Sequence, residues 1–341
     1  MSTSSSGATT VQRAQPASLE GLLRAHRREL LVHCYRMLGS WTDAEDVLQE
    51  VAVRAWRGLD RFEGRSSARS WLYRIATNAC LSALKSRSRR SLPEVSVRVA
   101  AAGVAPSPPI EDARWIQPLP TGAAAGDEAS SREAVTLAFV LALQQLPPRQ
   151  RAALLLRDVV GYEAGEVAAM LKTSAAAVNS ALVRARERME RFRRQHGGEP
   201  RTAPLSAAQR QLLRRYVEAW EAGDVDAIVA LLSRDAIVSM PPFATWYRGH
   251  EAIVPWLRRV FSEGRRFRFV PTFANGAPAF ALYKSGGPCL PGEAAHDELA
   301  PHCVQMVWQA RGRVTRVVSF LNARLVEAFA GPPPARRAKK K

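Results

Sequence analysis

The sequence predicts a multidomain fold in which two all-α units are followed by an α+β cone with a curved antiparallel sheet. Apolar residues repeat with helical spacing over residues 18–91 and again over residues 132–195. Residues 206–330 start with an amphipathic helix pair and continue as four strand-like runs separated by Gly, Pro and Asn. Helices that precede a meander of strands favour a curved sheet wrapped around them.

Polar stretches rich in helix and strand breakers separate these units. Residues 92–131 and 196–205 contain many Pro, Gly and Ala residues without periodicity, which is typical of linkers. Trp115 and Ile116 indicate that part of the first linker docks on another surface. Both ends of the chain, residues 1–17 and 331–341, are predicted to be disordered, and the second of them is strongly basic.

The composition limits the classes of partner. The 341-residue chain has a formal net charge of +18, which favours a polyanionic partner, either nucleic acid or an anionic membrane surface. The sequence has neither an apolar run of membrane-spanning length nor the apolar stretch of a signal peptide, so we expect a cytoplasmic location. The four cysteines form no CxxC pair and have no histidine at ligand spacing, so we expect free thiols, no metal site and no cofactor.

The stretch WTDAEDVLQEVAVRAWRGLDRF predicts an amphipathic helix, with Thr42 as N-cap and Glu45 completing a capping box. The expected buried stripe consists of Val47, Leu48, Val51, Ala52, Ala55 and Trp56. The opposite face carries Asp43, Asp46, Gln49, Glu50, Val53 and Arg54. In a basic protein, this partly acidic face is either a solvated surface or a docking surface for a basic partner protein.

The stretch RSSARSWLYRIATNACLSALKSRSRR predicts a helix with a basic end. A helical wheel places the core stripe at Leu72, Ile75, Ala76, Ala79 and Ala83. It places a second face away from the core at Trp71, Arg74, Asn78, Ser82 and Lys85. Such a face can stack on a base and donate to phosphates and base edges. The alternative is that Trp71 packs on a neighbouring helix and the arginines are only solvated.

The strongest local pattern is a helix-turn-helix. Residues 163–171 predict a short helix, KTS forms the turn, and Ser174 caps a longer basic helix. The second helix of such a motif lies in the major groove of DNA, and its early exposed residues would contact base edges. These residues are Ala175, Ala176, Asn179 and Ser180, followed by Arg184, Arg186 and Arg188 for the backbone. A helical hairpin with solvated charges is the alternative.

The cone of residues 206–330 is expected to enclose one apolar pocket. Its candidate lining residues include Trp220, Met240, Trp246, Tyr247 and Trp308. Asp226, Asp235, His250 and His302 are titratable candidates for an enzyme, which would need one of them aimed into the pocket. A ligand sensor and a structural or autoregulatory clamp are the other interpretations, and we favour the clamp.

Several of these motifs together resemble one family. DAEDVLQEVAVRAWRGL, FEGRSSARSWLYRIATNACLSAL, LPPRQRAALLLRDVVGYEAGEVAAML and SAAAVNSALVRARERM are similar, in order and spacing, to regions 2 and 4 of bacterial extracytoplasmic-function sigma factors of the sigma-70 family. ARWIQPLP and VNSAL resemble one branch that carries a C-terminal SnoaL-like domain, and the sequence from EAWEAGDVDAIVALL onward resembles that domain.

The resemblance implies partners and roles for matching positions. It implies binding to core RNA polymerase through Asp43, Asp46, Gln49 and Glu50. It implies binding of the −10 promoter element through Arg65, Ser66, Ser67, Arg69, Trp71, Arg74, Asn78, Lys85, Arg87, Arg89 and Arg90. It implies binding of the −35 element through Lys172, Ser174, Ala175, Ala176, Asn179, Ser180, Arg184 and Arg186. Ser82 and Asn179 depart from the Asp and Lys that many relatives have.

The sequence therefore predicts a cytoplasmic sigma factor that directs polymerase to promoters and is not itself an enzyme. The fused C-terminal domain would adjust its activity, with a small-molecule ligand as one possibility. A helix-turn-helix transcription factor that acts without polymerase and a SnoaL-type enzyme with a DNA-binding attachment are the alternatives. An anti-sigma factor and the oligomeric state are left open.

Overall fold

In the part of the chain that the structure describes, three helices form the first all-α unit and pack on one another. They are α1 (Leu19–Leu38), α2 (Trp41–Gly58) and α3 (Ala68–Ala83), with a 3-10 turn at Leu59–Arg61 before α3. The computed structural model describes residues 19–62, 67–85, 89–110, 115–120, 136–196, 205–262, 264–288 and 295–330.

The cap of α2 differs from the prediction. Ser40 is the N-cap, and its hydroxyl accepts a hydrogen bond from the Asp43 N–H at 3.2 Å. The hydroxyl of Thr42 instead donates to the Gln117 side-chain oxygen at 2.9 Å. A partner 75 residues away, which the local pattern does not reveal, therefore moves the cap by two residues.

Four helices form the second all-α unit within the described residues. They are α5 (Leu137–Gln144), α6 (Pro148–Leu154), α7 (Ala164–Leu171) and α8 (Ala175–His196); α4 (Pro93–Ser96) precedes them in the chain. A π-helical turn, Leu155–Val160, extends α6, and Gly161 turns the chain at φ +93°. The predicted helix-turn-helix is confirmed as α7, a turn at Lys172–Ser174, and α8.

The C-terminal unit is the expected α+β cone. It contains α9 (Ala207–Ala222), α10 (Val225–Leu231), α11 (His250–Phe261) and α12 (Ala323–Ala330). Its strands are β1 (Leu232–Ser239), β2 (Trp246–Arg248), β3 (Arg266–Ala274), β4 (Ala277–Gly286), β5 (His296–Ala310) and β6 (Arg313–Phe320). The sheet order is β2-β1-β6-β5-β4-β3.

The sheet is mixed rather than wholly antiparallel. Strands β3 to β6 form the predicted meander, with antiparallel neighbours. Strand β1 pairs with β6 in parallel, because the chain leaves β1 through β2 and α11 before the meander brings β6 back beside it. The segment before the meander therefore adds the β1–β2 hairpin to the sheet, next to β6.

The two faces of the sheet pack against different cores. In β4, Phe280 and Leu282 point into the aromatic core of the cone. The alternate residues Ala279, Ala281 and Tyr283 belong to a second core, which also contains residues of α12 and of both all-α units. The three units therefore share one continuous apolar core. Within the described residues, none of the helices combines the length and the apolar character that crossing a bilayer requires.

Candidate nucleic-acid and partner interfaces

The outward face of α2 carries most of the residues predicted to contact polymerase. Asp46, Gln49 and Glu50 are exposed. Asp43 is not on this surface, because its carboxylate forms an ion pair with Arg90 at 2.5 Å and is largely buried. The acidic face is therefore smaller than predicted, and Asp43 instead stabilises the junction between α2 and the chain that follows α3.

The same face of α2 continues as an apolar patch that was not predicted. Trp56, predicted to be buried, is 71% exposed, and Val53 beside it is 41% exposed. At 100° per residue Trp56 lies only about 20° from Gln49 on the helix, so the wheel itself contained this signal. Because a large exposed tryptophan is unusual on a soluble surface, the patch indicates a protein contact.

Trp71 was predicted to lie away from the core, but it is buried. It is 5% exposed and packs against Phe62, with ring centroids 4.8 Å apart. The four consecutive residues Ser70 to Tyr73 are all buried, so α3 has no single core stripe. The reason is that α1 and α2 cover one side of α3 while α6 and α7 of the second unit contact the other.

A polar strip nevertheless stays on α3. Arg74 and Lys85 are exposed, and Asn78 is half-buried, with its amide donating to the Arg74 carbonyl at 2.9 Å. Ser67 is the N-cap of α3, because its hydroxyl accepts from the Ser70 N–H. Arg65, Ser66 and Arg87, which were also assigned to the −10 element, lie outside the described residues.

Two arginines assigned to the −10 element are engaged within the protein. Arg90 is 5% exposed and donates to the Trp115 carbonyl at 2.6 Å as well as to Asp43. A buried, ion-paired guanidinium is not available to a phosphate, so Arg90 does not lie on the predicted −10 surface in this conformation. Arg89 is exposed and donates to the Gln145 side chain at 3.3 Å, which links the two all-α units.

Arg69 joins the two helical units, although its side chain is 40% exposed. Its guanidinium donates to Glu29 at 2.8 and 2.9 Å and lies 4.9 and 5.7 Å from the ring centroids of Tyr73 and Tyr162. Burial raises the pKa of the Glu29 carboxyl, but hydrogen bonds from Arg69, His26 and Tyr73 outweigh it and the net shift is downward. Glu29 is therefore ionised and holds the Arg69 guanidinium at the junction of the two helical units.

The turn before α8 and the outward side of the first half of α8 are exposed. The residues assigned to the −35 element are all exposed: Lys172, Ser174, Ala175, Ala176, Asn179, Ser180, Arg184 and Arg186. Ser174 caps α8 by accepting from the Ala177 N–H at 3.2 Å. Val183, one turn after Asn179, is 55% exposed and was not among the predicted contact residues. An apolar side chain at this place suits a thymine methyl group.

Arg186 also has a partner in the protein. It forms two hydrogen bonds with Asp158, at 2.7 and 2.9 Å, and the hydrogen bond to Asp158 raises the pKa of Arg186. The pair connects α8 to the π-helical turn, so it orients the helix in addition to any contact with DNA.

The cone encloses a cavity of about 460 Å³, and Trp220 and Met240 line it as predicted. Trp246, Tyr247 and Trp308 do not, which corrects the predicted lining. The Trp246 indole donates to the Val97 carbonyl at 2.8 Å, and the Tyr247 hydroxyl donates to the Val104 carbonyl at 2.9 Å. Trp308 packs under Arg316, with the guanidinium 4.7 Å from the ring centroid. The sequence pattern identified these aromatic residues as apolar, but it could not reveal that Trp246 and Tyr247 bind another segment of the chain.

Residues 115–120, which we call the clasp, connect the first unit to the cone. The Tyr35 hydroxyl donates to the Gln117 carbonyl and accepts from the Asn275 amide, both at 2.9 Å. Asn275 and Leu119 exchange two further bonds: the Leu119 N–H donates to the Asn275 side chain at 2.9 Å and the Asn275 N–H donates to the Leu119 carbonyl at 3.0 Å. The predicted docking of Trp115 and Ile116 is observed here, since both are buried.

The described residues contain no cluster of three or more His, Cys, Asp or Glu side chains suited to a metal ion. Cys34, Cys80 and Cys303 are buried thiols, and burial raises the pKa of Cys80. Cys289 lies outside the described residues.

An exposed helix-turn-helix, a second helical unit beside it and a fused cone define a DNA-binding transcription protein. Family descriptions agree with this class: "Sigma-70 region 2" matches residues 22–90, "Sigma-70, region 4" matches residues 136–189, and "SnoaL-like domain" matches residues 213–317. The chain is 42% identical over 314 residues to the ECF RNA polymerase sigma factor SigG of Mycobacterium tuberculosis, covering 90% of this chain and 82% of that protein. The chain therefore belongs to the extracytoplasmic-function (ECF) family of RNA polymerase sigma factors.

Two further relatives extend the comparison. The ECF RNA polymerase sigma factor SigM of Mycobacterium tuberculosis is 33% identical over 177 residues, which cover 51% of this chain and 76% of SigM. The crystal structure of the Mycobacterium tuberculosis ECF sigma factor SigJ has a TM-score of 0.54 at 23% identity, with 91% of this chain and 98% of that chain covered. The SigJ likeness shows that the three-unit fold is shared.

Proposed function

We propose that this protein binds core RNA polymerase, directs it to a limited set of promoters, and changes its own activity through the fused cone. The proposal rests on the exposed residues of the first half of α8, in a chain that belongs to the family of ECF sigma factors. The chemistry of RNA synthesis then belongs to the polymerase, and we propose no catalytic step for this chain. A cytoplasmic location follows from this proposal, because polymerase and promoter act there.

The polymerase contact is best supported at α2. Asp46, Gln49 and Glu50 provide an acidic and polar edge, and Val53 with Trp56 provides an apolar centre one turn further on. A tryptophan flanked by polar residues has the composition of a protein-binding hot spot. We therefore propose that Trp56 contributes more of the binding free energy than the acidic residues do.

The promoter contacts need a different arrangement of the two helical units. The −10 and −35 elements are about a dozen and a half base pairs apart, roughly 60 Å along the duplex. Here the units are packed together: Tyr73 and Tyr162 have ring centroids 5.8 Å apart, and the buried Arg151 of α6 donates to the Met37 carbonyl of α1. We propose that this closed arrangement is inactive and that polymerase binding separates the units.

The cone favours the closed arrangement through the clasp. Tyr35 belongs to the first unit, Asn275 to the cone, and Leu119 to the chain between the two helical units. One hydrogen-bond network therefore joins the first unit, the connecting chain and the cone. Glu94 of α4 also accepts from Arg316 of β6 at 2.6 and 3.0 Å. Buried polar networks of this kind are costly to leave half-satisfied, which makes opening an all-or-none event.

Run-off transcription with purified core polymerase on a library of genomic fragments tests the proposal. We expect specific transcripts that depend on the added chain, and co-elution of the chain with core polymerase. Fragment binding without polymerase binding would contradict the sigma assignment and favour a free-standing helix-turn-helix regulator. The fragments that give transcripts then serve as promoter templates for variants.

A further inference from the structure

The chain between the two helical units forms part of the wall of the cavity in the cone. Residues 97–110, which we call the strap, leave the end of α4 and cross the mouth of the cavity, where Ala105, Pro106, Ser107 and Pro108 line it. The remaining wall comes from the cone itself. The cavity is therefore a site between domains, and its contents touch the chain that connects the two proposed DNA-binding units.

The loop that carries one side of the cavity also holds the strap. Thr245 accepts from the Ser107 N–H at 2.6 Å, and the Pro242 carbonyl accepts from the Ile110 N–H at 2.9 Å. Phe243, between these two residues, lines the cavity with its side chain. Because anchors and wall share residues 242–245, a molecule that orders this loop also orders the strap.

The interior of the cavity is aromatic with a polar floor. The walls include Trp220, Phe243, Trp256 and Phe267, and the polar residues Arg259, Arg265 and His302 also line the cavity. At the floor, the Tyr216 hydroxyl donates to the Gln305 side-chain oxygen at 2.9 Å and the Gln305 amide donates to the Ser319 hydroxyl oxygen at 3.0 Å. Burial raises the pKa of Tyr216, so it stays a donor and fixes the direction of this relay.

The relay leaves the Ser319 hydroxyl with a proton to donate. A hydroxyl carries one proton and two lone pairs, and Gln305 occupies a lone pair. Ser319 lines the cavity, so an oxygen acceptor placed there completes its hydrogen bonding. The cavity is within the volume range of small-molecule sites, and its walls match flat apolar rings.

We propose that the cavity binds a small planar, largely apolar molecule with an acceptor oxygen, and that this ligand fastens the strap to the cone. This inference rests on the proposed function, because holding the strap then keeps the two helical units in the closed arrangement. The ligand acts as an inhibitor of promoter binding: it adds contacts to Ala105, Pro106 and Pro108 that are lost when the strap departs.

A titration of the full-length chain with prodan, a planar naphthyl ketone whose emission depends on its surroundings, tests the site. We expect saturable binding of one probe per chain with blue-shifted emission. Ser319→Ala should weaken binding about fivefold, the loss of one hydrogen bond. Met240→Trp should abolish it by filling the cavity. Ser233→Ala, in β1 outside the cavity, is the matched control and should bind like the unaltered chain.

Hydrogen exchange of the strap tests the coupling. Saturating prodan should slow exchange of the Ser107 and Ile110 amides several-fold, and Thr245→Val should speed exchange of Ser107 without the probe. If prodan does not bind, or if Met240→Trp binds it as well as the unaltered chain does, the proposed site is wrong. Saturable binding with unchanged exchange of both amides would overturn the coupling. Circular dichroism shows whether each variant folds. If Met240→Trp does not fold, the affinity of Ser319→Ala for prodan decides. These measurements contain no polymerase, so their failure is distinct from failure of the run-off experiment.

Discussion

At the scale of single residues, two tryptophans of the first unit have opposite roles. Trp71 is buried against Phe62, whereas Trp56 projects from α2. We expect Trp71→Ala to lower the free energy of unfolding by about 3–5 kcal/mol, since it leaves a large cavity. Trp56→Ala should change it by less than about 0.5 kcal/mol. Urea denaturation measures both, and similar losses for the two variants would contradict this placement.

The same pair separates folding from polymerase binding. Trp56→Ala should weaken binding to core polymerase roughly 30-fold, the effect of losing a hot-spot tryptophan. Val104→Ala removes another exposed apolar side chain, away from α2, and should leave that affinity unchanged. Fluorescence anisotropy of labelled chain with core polymerase gives the affinities. Equal affinity of the Trp56 variant and the unaltered chain would rule out the α2 patch.

His33 makes the stability depend on pH. Its side chain is buried, with Nε2 2.9 Å from the Thr77 hydroxyl oxygen. Burial lowers the pKa of His33 from 6.5 to about 3, with a smaller contribution from the positive charge of Arg36. The folded state therefore holds His33 neutral while the unfolded state takes up a proton below pH 6.5. Stability is complete above that value and falls as the pH decreases, by about 2 kcal/mol down to about pH 5.

Urea denaturation across this pH range checks the effect. His33→Gln, which keeps a hydrogen-bonding group but cannot take up a proton, should flatten the dependence. His196→Gln, at the exposed end of α8, should follow the unaltered chain. If His33→Gln and the unaltered chain lose stability in parallel, His33 is not the cause of the dependence.

At the scale of elements, α8 offers an internal control for promoter recognition. Asn179 and Gln195 both carry exposed side-chain amides, about 24 Å apart along the helix. Asn179→Ala should reduce transcription from −35-dependent templates about tenfold, because an amide that pairs with adenine contributes one to a few kcal/mol. Gln195→Ala should leave it unchanged. Run-off yields on the selected promoter fragments compare the two, and equal yields would remove Asn179 from the interface.

Helices that are covered on one side were the predictable part of this fold. In α7 and α8 the apolar stripe, the turn and the Ser174 cap follow from local sequence alone. Helix α3 was misread because the wheel assumes one buried stripe, whereas two units cover α3 from different sides. Trp71 was placed outside for that reason. The error at Trp56 has another origin, since its neighbours on the wheel, Gln49 and Val53, are themselves exposed.

At the scale of the whole molecule, contacts between units were the unpredictable part. Asn275, followed by glycine, reads as a hairpin turn, and it does occupy one, with φ +52°. Nothing local indicates that its side chain reaches Tyr35, 240 residues earlier. The same applies to Trp246 and Tyr247, whose partners are backbone carbonyls of the strap. Only the folded structure shows which aromatic residues line the cavity and which ones bind the strap.

Opening the clasp should activate the protein. Asn275→Gly keeps the positive φ and the backbone bond to the Leu119 carbonyl, but it removes the side-chain bonds to the Tyr35 hydroxyl and from the Leu119 N–H. The closed arrangement therefore loses about 1–3 kcal/mol. We expect run-off transcription to rise several-fold. Arg311→Gly is the matched control, because Arg311 has φ +51° in the β5–β6 turn and its exposed side chain lies away from the clasp. An Asn275→Gly variant no more active than Arg311→Gly would show that the clasp does not restrain the protein.

The path of the strap also sets an order of events during synthesis. Ser107 precedes its acceptor Thr245 by 138 residues, so the strap leaves the ribosome before its docking surface exists. At about 5–20 residues per second, this interval lasts about 7–28 s. The second helical unit ends at His196, 49 residues before Thr245, so both helical units are complete for about 2–10 s before the docking loop emerges. Each new chain therefore passes through an unrestrained state. A burst of translation therefore supplies chains that can load onto polymerase before they ever close.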